Sequence, residues 1–386
     1  MRVLIAFDKF KDSLTAPGAC EIAAEALQKK QPDWEIAQCP LTDGGEGFAA
    51  ILTRASQGQI HQHTVTGPRG VPVDASFGIV TFSNIPAVAR RLLDLPSDIA
   101  DSASIALIEM ATASGLALLE DEERDPWHTT SYGTGELINS AIELGVEAIL
   151  LGVGGSATND LGLGALNAMG LSFLDQNGDA ISPPIPDTWS QISTPTGTLP
   201  ANTPPIHIAC DVDNPLLGPN GAAAIYGPQK GLLAADLPRM EAASERLAAL
   251  LCDHQGKPHG TINTPGAGAA GGIAFGFMTA ADAQLLPGAD FVAAWFDVES
   301  HLASSDIVIT GEGRFDDSSL RGKGPGALAA RALELNKTVH VFAGQIDLTS
   351  VPEKLHLHAI TPAEMSLKEA FRSASQLLTS AINDKF

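Results

Sequence analysis

The sequence predicts an α/β protein in which both ends of the chain build one domain and a second, mixed α/β domain is inserted between them. Three observations carry this. Apolar runs of strand length alternate with helix-period segments near both ends, the pattern of βαβ units and a parallel sheet. The turn cluster Thr66-Gly-Pro-Arg-Gly70 interrupts that pattern. It resumes after a Gly/Ala-rich stretch at 266–276. The expected division is 1–66 with 285–386 for the terminal domain and 67–284 for the insert, and 386 residues suffice for two such cores.

Residues 3–7 read as a fully buried strand ending at Asp8. Ser13 or Thr15 caps the next helix, with Pro17 in its first turn and Ile22, Ala23, Ala26 and Leu27 at helical spacing. A strand over 34–39 delivers the loop Leu41-Thr-Asp-Gly-Gly-Glu-Gly47, a helix runs to about Ser56, and 59–66 is a further strand of the terminal set. In the insert, 73–82 and 105–110 are strands and 133–144 is a helix capped by Thr134. The apolar run 148–152 opens into Gly152-Val-Gly-Gly-Ser-Ala-Thr-Asn-Asp160, and a helix is expected over 160–169. An Asn-Gly turn at 177–178, a Pro/Ser/Thr-rich surface excursion over 182–205, a strand at 206–210 and a long Ala/Leu helix at 232–251 complete the insert. The terminal pattern returns with a strand at 306–310, a helix at 326–335, a strand at 339–343 and a closing helix at 370–382.

The formal net charge is −22, from 45 acidic against 23 basic residues, which excludes nucleic acid and anionic membrane as main partners. A small anionic substrate remains compatible, because a site needs only a few local cations. The four cysteines are far apart in sequence, the pattern of small core residues in a reduced, cytoplasmic protein. The N-terminal apolar run has only strand length, so no signal peptide is expected, and no stretch has the length and hydropathy of a membrane span.

Five loops are rich in carboxylate or cation, three of them with glycine: Asp8-Lys-Phe-Lys-Asp12, Asp43-Gly-Gly-Glu-Gly47, the 152–160 stretch, Asp211-Val-Asp213, and Gly311-Glu-Gly-Arg-Phe-Asp316 with Arg321-Gly-Lys323. Any one alone is an ordinary tight turn; five in one chain argue for a site. The 152–160 stretch reads as strand, phosphate-sized loop and helix start, with backbone N–H groups and a helix dipole available to an anion. Between Asp125 and Gln229 there is no Lys or Arg, so the cation for such an anion is expected from elsewhere in the chain. Lys11, Arg314 and Lys323, inside these loops, are the candidate anion partners, whereas Lys29, Lys30 and Lys337 at helix ends only complement the dipole. Asp43, Glu46, Asp160, Asp213, Glu312 and Asp316 offer the hard oxygens that Mg²⁺ prefers.

Common nucleotide fingerprints fail. Gly322-Lys323 lacks the upstream glycine of a Walker A loop, and Gly266-Ala-Gly-Ala-Ala-Gly271 follows Asn263-Thr-Pro265 rather than a buried strand. Asp211 and Asp213 after a strand match the nucleophile and acid of a haloacid-dehalogenase-like phosphatase, but Asn214 replaces the usual Thr. His61 with His63, and His356 with His358, share a strand face and read as structural.

Taken in order, these stretches resemble the class I glycerate kinase family over nearly the whole chain. The motifs are Asp8-Lys-Phe-Lys-Asp-Ser-Leu14, Thr42-Asp-Gly-Gly-Glu-Gly47, Glu109-Met-Ala-Thr-Ala-Ser-Gly-Leu116, Thr130-Ser-Tyr-Gly-Thr-Gly-Glu-Leu137, the 152–160 stretch, Cys210-Asp-Val-Asp-Asn-Pro215, Tyr226-Gly-Pro-Gln-Lys-Gly231 and Thr310-Gly-Glu-Gly-Arg314. Lys9 and Asp12 depart from the family's Ser and Gly, and Ser318-Ser319 from a Gln-Thr pair. The resemblance implies a flavodoxin-like parallel sheet formed by both chain ends, and phosphoryl transfer from ATP to D-glycerate with Mg²⁺. It implies 2-phospho-D-glycerate as product, with the 3-phosphate as the alternative. On this reading Lys11, Arg314 and Lys323 neutralise the carboxylate and the transferring phosphoryl group. Asp43 or Asp316 accepts the hydroxyl proton, and Asp160 or Asp213 holds Mg²⁺. Lys9, Ser13, Gly44, Gly45, Glu46, Gly154, Gly155, Ser156, Thr158, Lys230 and Glu312 complete the substrate and phosphate site. The residues leave the adenine position and the oligomeric state open.

Overall fold

Alternation along the first strand, Arg2–Phe7, sets the architecture of the terminal segments. Val3, Ile5 and Phe7 enter one apolar core, with the helices Ala16–Lys30 and Leu367–Lys385. Leu4 and Ala6 enter another, with the helices Val298–Ser304 and Pro325–Glu334. A strand buried on both faces is what a helix-covered parallel sheet requires. The structure is a computed structural model that describes residues 1–10, 13–317, 319 and 324–386. It divides into one unit of Met1–Asp43 with Ala289–Phe386, and another of Gly44–Gly288.

In the first unit five parallel strands lie in the order Leu355–Ala359, Thr338–Ala343, Ile307–Gly311, Arg2–Phe7, Glu35–Gln38. Numbered along the chain this is 2-1-3-4-5, the flavodoxin-like order, so the topological switch point lies between Arg2–Phe7 and Ile307–Gly311. Thr15 caps the first helix as its spacing predicts, accepting from Gly18 N at 3.2 Å, with Pro17 in the first turn.

The second unit holds a six-stranded sheet in the order Gln284–Leu286, Ile206–Ala209, Ala148–Gly152, Ser104–Glu109, Pro72–Thr81, Gln59–Thr66. The first four run parallel and Pro72–Thr81 runs antiparallel to both of its neighbours, which makes this a mixed sheet. Strand Gln59–Thr66, read from sequence with the parallel terminal set, pairs instead with Pro72–Thr81. The cause is the turn between them: Gly67 N donates to Val71 O and Gly70 N to Gly67 O, and so short a connection joins only antiparallel neighbours. The helix Phe48–Ala55 lies in this unit too.

Two further expectations change. Residues 182–205 are no mere surface excursion, because Trp189 is fully buried, donates through Nε1 to Pro184 O, and has its carbonyl bound by Arg246. The helix expected over 160–169 is only Leu163–Ala168. Leu161 and Gly162 both adopt positive φ, which delays its start. Among the described residues no helix is long and apolar enough to cross a membrane.

Candidate functional site

In the first unit the carboxyl ends of the two switch-point strands are joined by Asp8 N donating to Gly311 O at 3.0 Å, which sets Asp8 beside Glu312. A cavity of about 460 Å³ opens there, lined at its polar end by Asp8, Lys9, Ser13, Glu312 and Arg314. Open α/β sheets bind ligands at this position. Asp8 Oδ1 accepts from Lys9 N at 2.7 Å. Burial pushes the Asp8 carboxyl up, reinforced by Asp43. Glu312 is pushed up to about 6, chiefly by burial and further by the negative charges of Asp8 and Asp316. Four carboxylates, Asp8, Asp43, Glu312 and Asp316, therefore share one electrostatic neighbourhood.

Arg314 is exposed between Asp316 (3.4 Å) and Asp347 (3.2 Å), on a short strand Arg314–Asp316 paired with Gln345–Asp347. Ser13 is part of a turn: its Oγ donates to Phe10 O at 3.0 Å. The expected site residues Lys11 and Lys323 lie outside the described residues, as does Arg321.

In the second unit the 152–160 stretch follows strand Ala148–Gly152, as its apolar run predicts, but its chemistry differs from the expectation. Asp160 is fully buried and takes four donors: Ser131 N and Ser131 Oγ at 2.7 Å, Gly162 N at 3.2 Å and Gly164 N at 3.3 Å. Ala165 N donates to Ser131 Oγ at 3.0 Å. The backbone donors expected to meet a phosphate at a helix start are thus already bound inside the protein. Asp160 pins the loop, both of its oxygens accepting from donors inside the protein. Thr134, expected as a cap, is buried and pairs with Ser114 Oγ at 2.9 Å; Ser131 stands at the cap position of Tyr132–Glu143.

A cation from elsewhere in the chain does meet this loop. Lys230 is fully buried and donates through Nζ to Ser156 Oγ at 2.8 Å and to Thr158 O at 2.6 Å. Burial pushes its ammonium down to about 7, against the opposing pull of Asp160. Burial also pushes the Asp160 carboxyl up. Beside this contact, Thr158 Oγ1 and Asn159 Oδ1 are buried without a hydrogen-bond partner among the described residues, a state that buried polar atoms seldom keep unless water or a ligand meets them.

Gly44 and Gly45 back the same loop: Gly154 N donates to Gly44 O at 3.1 Å. Gly154 lies so close that a Cβ there would sit 2.5 Å from Gly45 Cα. Gly47 N donates to the buried Glu109 Oε1 at 3.0 Å. Gly155 forms the exposed tip, while Ser156 is buried. Asp43, Glu46 and Asp213 are exposed, and Asp211 is half-buried. Among the described residues no group of three or more His, Cys, Asp or Glu side chains is arranged to hold a metal ion.

The structure thus gathers Lys9, Ser13, Glu312 and Arg314 at one cavity in the first unit, and Gly44, Gly45, Gly154, Ser156, Thr158, Asp160 and Lys230 around one loop in the second. Sequence reasoning passed over Asp8, Glu109 and Ser131 as site residues, although all three stand in the motifs quoted above. It also passed over Gln345 and Thr361 of the cavity wall. Their signal was position, since each follows the carboxyl end of a strand of the same sheet.

A family model described as the glycerate kinase family matches residues 3–385. A glycerate kinase of Bacillus subtilis (strain 168) is 36% identical, the alignment covering 100% of this chain and 96% of the relative. A glycerate 2-kinase of Escherichia coli (strain K12) is 36% identical over 97% of this chain and 94% of its own. A crystal structure of a protein provisionally named glycerate kinase 2, from Salmonella typhimurium LT2, superposes with a TM-score of 0.78 at 34% identity, covering 100% of this chain and 97% of that one.

Proposed function

Because the chain belongs to the glycerate kinase family, we propose that it transfers the γ-phosphoryl group of ATP to D-glycerate and forms 2-phospho-D-glycerate. The observation that carries this reading is the convergence of Asp8, Lys9, Glu312 and Arg314 on one cavity at the switch point of a parallel sheet. Phosphoryl transfer asks for positioning and charge neutralisation more than for covalent chemistry. Lys9 and Arg314 supply cations there. The ion pairs of Arg314 are exposed and worth little, so a phosphate or carboxylate can exchange with Asp316 and Asp347 at small cost. Lys11, by its place in the family motif of residues 8–14, and Lys323, by its loop of glycine and cations, belong to the same role.

Glu312 takes the hydroxyl proton in this proposal. Its affinity for a proton, raised to about 6, is closer to neutral pH than that of an ordinary carboxylate, which is what a general base needs. Asp43 and Asp316 are the other proposed carboxylates, with Asp316 acting by raising Glu312.

Mg²⁺ fits the first unit and not Asp160. A magnesium ion needs only one or two protein carboxylates when nucleotide phosphates complete its shell. Asp8 and Asp43, whose mutual repulsion a cation relieves, would hold it. When bound, the ion neutralises phosphate charge. Exposed Asp213 remains a second proposed ligand. In the second unit Lys230 holds Ser156 and Thr158, and the unsatisfied Thr158 Oγ1 and Asn159 Oδ1 support a polar ligand at that loop. The phosphatase reading of Asp211 and Asp213 has no support from the family. A cytoplasmic setting belongs to the same proposal.

The name of the Escherichia coli relative supports the 2-position. Incubation with ATP, Mg²⁺ and D-glycerate, with the ester identified by phosphorus NMR, tests it. A 3-phosphate ester overturns the regiochemistry, and absence of ADP overturns the reaction.

A further inference from the structure

We propose that the cavity in the first unit holds the adenosine moiety of the nucleotide, with its phosphates directed to Lys9 and Arg314 at the polar end. The inference rests on ATP being the phosphoryl donor, and it adds where the purine sits. The cavity is two-sided. Beyond the carboxylates and cations of its mouth it runs between Phe10 and the helix Leu367–Lys385, where Ile360, Phe371, Ala374 and Leu377 line it. Phe10, Ile360 and Ala374 are buried. At about 460 Å³ it lies within the ordinary range of small-molecule sites.

The chemistry of that wall selects its occupant. D-Glycerate is a carboxylate with two hydroxyls and has no apolar face. Placed deep in the cavity it would lose water without gaining hydrogen bonds from Ile360, Phe371 or Leu377. A purine has two flat apolar faces and a polar edge, and aromatic and aliphatic side chains bury such faces favourably. The mouth then lies where a nucleotide's charged end must emerge. It opens at the carboxyl ends of the switch-point strands, next to the cations and to Asp8, one of the carboxylates proposed for Mg²⁺. Gln345 and Thr361, polar residues of the lining that follow neighbouring strands of the same sheet, offer hydrogen-bonding groups for ribose or the purine edge.

The test is ADP binding by calorimetry in the absence of D-glycerate, on the full chain and on Ala374→Leu, which fills the cavity from the helix. At least tenfold weaker binding is expected for the variant, and likewise for adenosine alone. Phe371→Ala removes a half-buried ring and provides the same reading should Ala374→Leu not fold. Photolabelling with 8-azido-ATP is expected to mark peptides within 360–377. Wild-type ADP affinity in both variants, or label confined to 44–288, overturns the proposal. Since binding is read without glycerate, a failure to phosphorylate glycerate is a separate result and bears only on the reaction.

Discussion

Lys230 Nζ lies 2.8 Å from Ser156 Oγ, inside a protein whose only other polar partner for that amine is the Thr158 carbonyl at 2.6 Å among the hydrogen bonds described. A lysine with a folded pKa near 7 and a free value of 10.5 binds its proton more weakly in the folded state. Folding stability therefore rises as pH increases from about 7 toward 10.5, and the penalty for the buried charge is fully present below 7. Urea melts across that window should show a steeper rise in wild type than in Lys230→Met, by at most about 1.4 kcal/mol per pH unit. Equal slopes would assign the amine to solvent.

Asp160 makes the opposite kind of prediction to the one its motif suggests. An Asp160→Asn change sets an amide against donors that now point at a carboxylate. A loss of about 2–4 kcal/mol is expected from leaving buried groups unpaired. Thermal melts should show the loss, while the Mg²⁺ concentration for half-maximal activity stays where it was. A large shift in that concentration without loss of stability would restore the metal role.

Glu312 is tested by the pH profile of kcat. With its proton affinity raised to about 6, activity should fall as pH drops through that value. Glu312→Gln should lose about 10²–10⁴-fold in kcat, the usual contribution of a general base. An unchanged acid limb in a still active Gln variant assigns the proton to another group.

The close packing of the two glycine loops gives a sharper steric test. A Cβ at Gly154 would lie 2.5 Å from Gly45 Cα and 3.0 Å from Gly45 N, with backbone on both sides and no flexible side chain to yield. Gly154→Ala should therefore lower Tm and activity together, whereas an Ala at exposed Gly260, which meets nothing within 4 Å, should leave both alone.

What the sequence made legible was local or periodic. The Thr15 cap, the alternation of Val3, Leu4, Ile5, Ala6 and Phe7, and the strand-then-glycine pattern at 148–155 depend on neighbours a few residues apart. What it hid was pairing at a distance. Lys230 and Ser156 are separated by 74 residues, so the sequence sent the loop's cation elsewhere in the chain without showing that these two side chains meet. Asp160 looked like a ligand because a carboxylate after glycines commonly is one, and only the fold shows Ser131 reaching it from 29 residues away. The antiparallel pairing of Gln59–Thr66 was readable from the shortness of the Gly67–Gly70 turn, a geometric constraint that outweighs the βαβ rhythm before it.

The edge of the first unit's sheet holds one more titratable cluster. His340 Nδ1 lies 3.0 Å from His358 Nε2, and His340 also stacks on His356 and meets the ring of Phe386. Burial chiefly, then His358, His356 and Lys385, push His340 down to about 3. Burial, then Lys385 and His356, push His358 down to about 4. Both imidazoles are neutral in the folded protein at mildly acid pH, while in the unfolded chain they charge near 6.5. The unfolded state then binds more protons, so stability falls as pH drops from about 6.5 toward 4, and these two groups impose no further loss below about 3. The helix Leu367–Lys385, whose Lys385 faces the cluster, should loosen first, which also loosens a wall of the cavity. Urea melts at about pH 7.5 and about pH 5 should show a smaller acid loss in His340→Gln than in wild type, since one fewer group takes up a proton on unfolding. The same acid loss in both proteins would mean that other groups, and not this stack, carry the sensitivity.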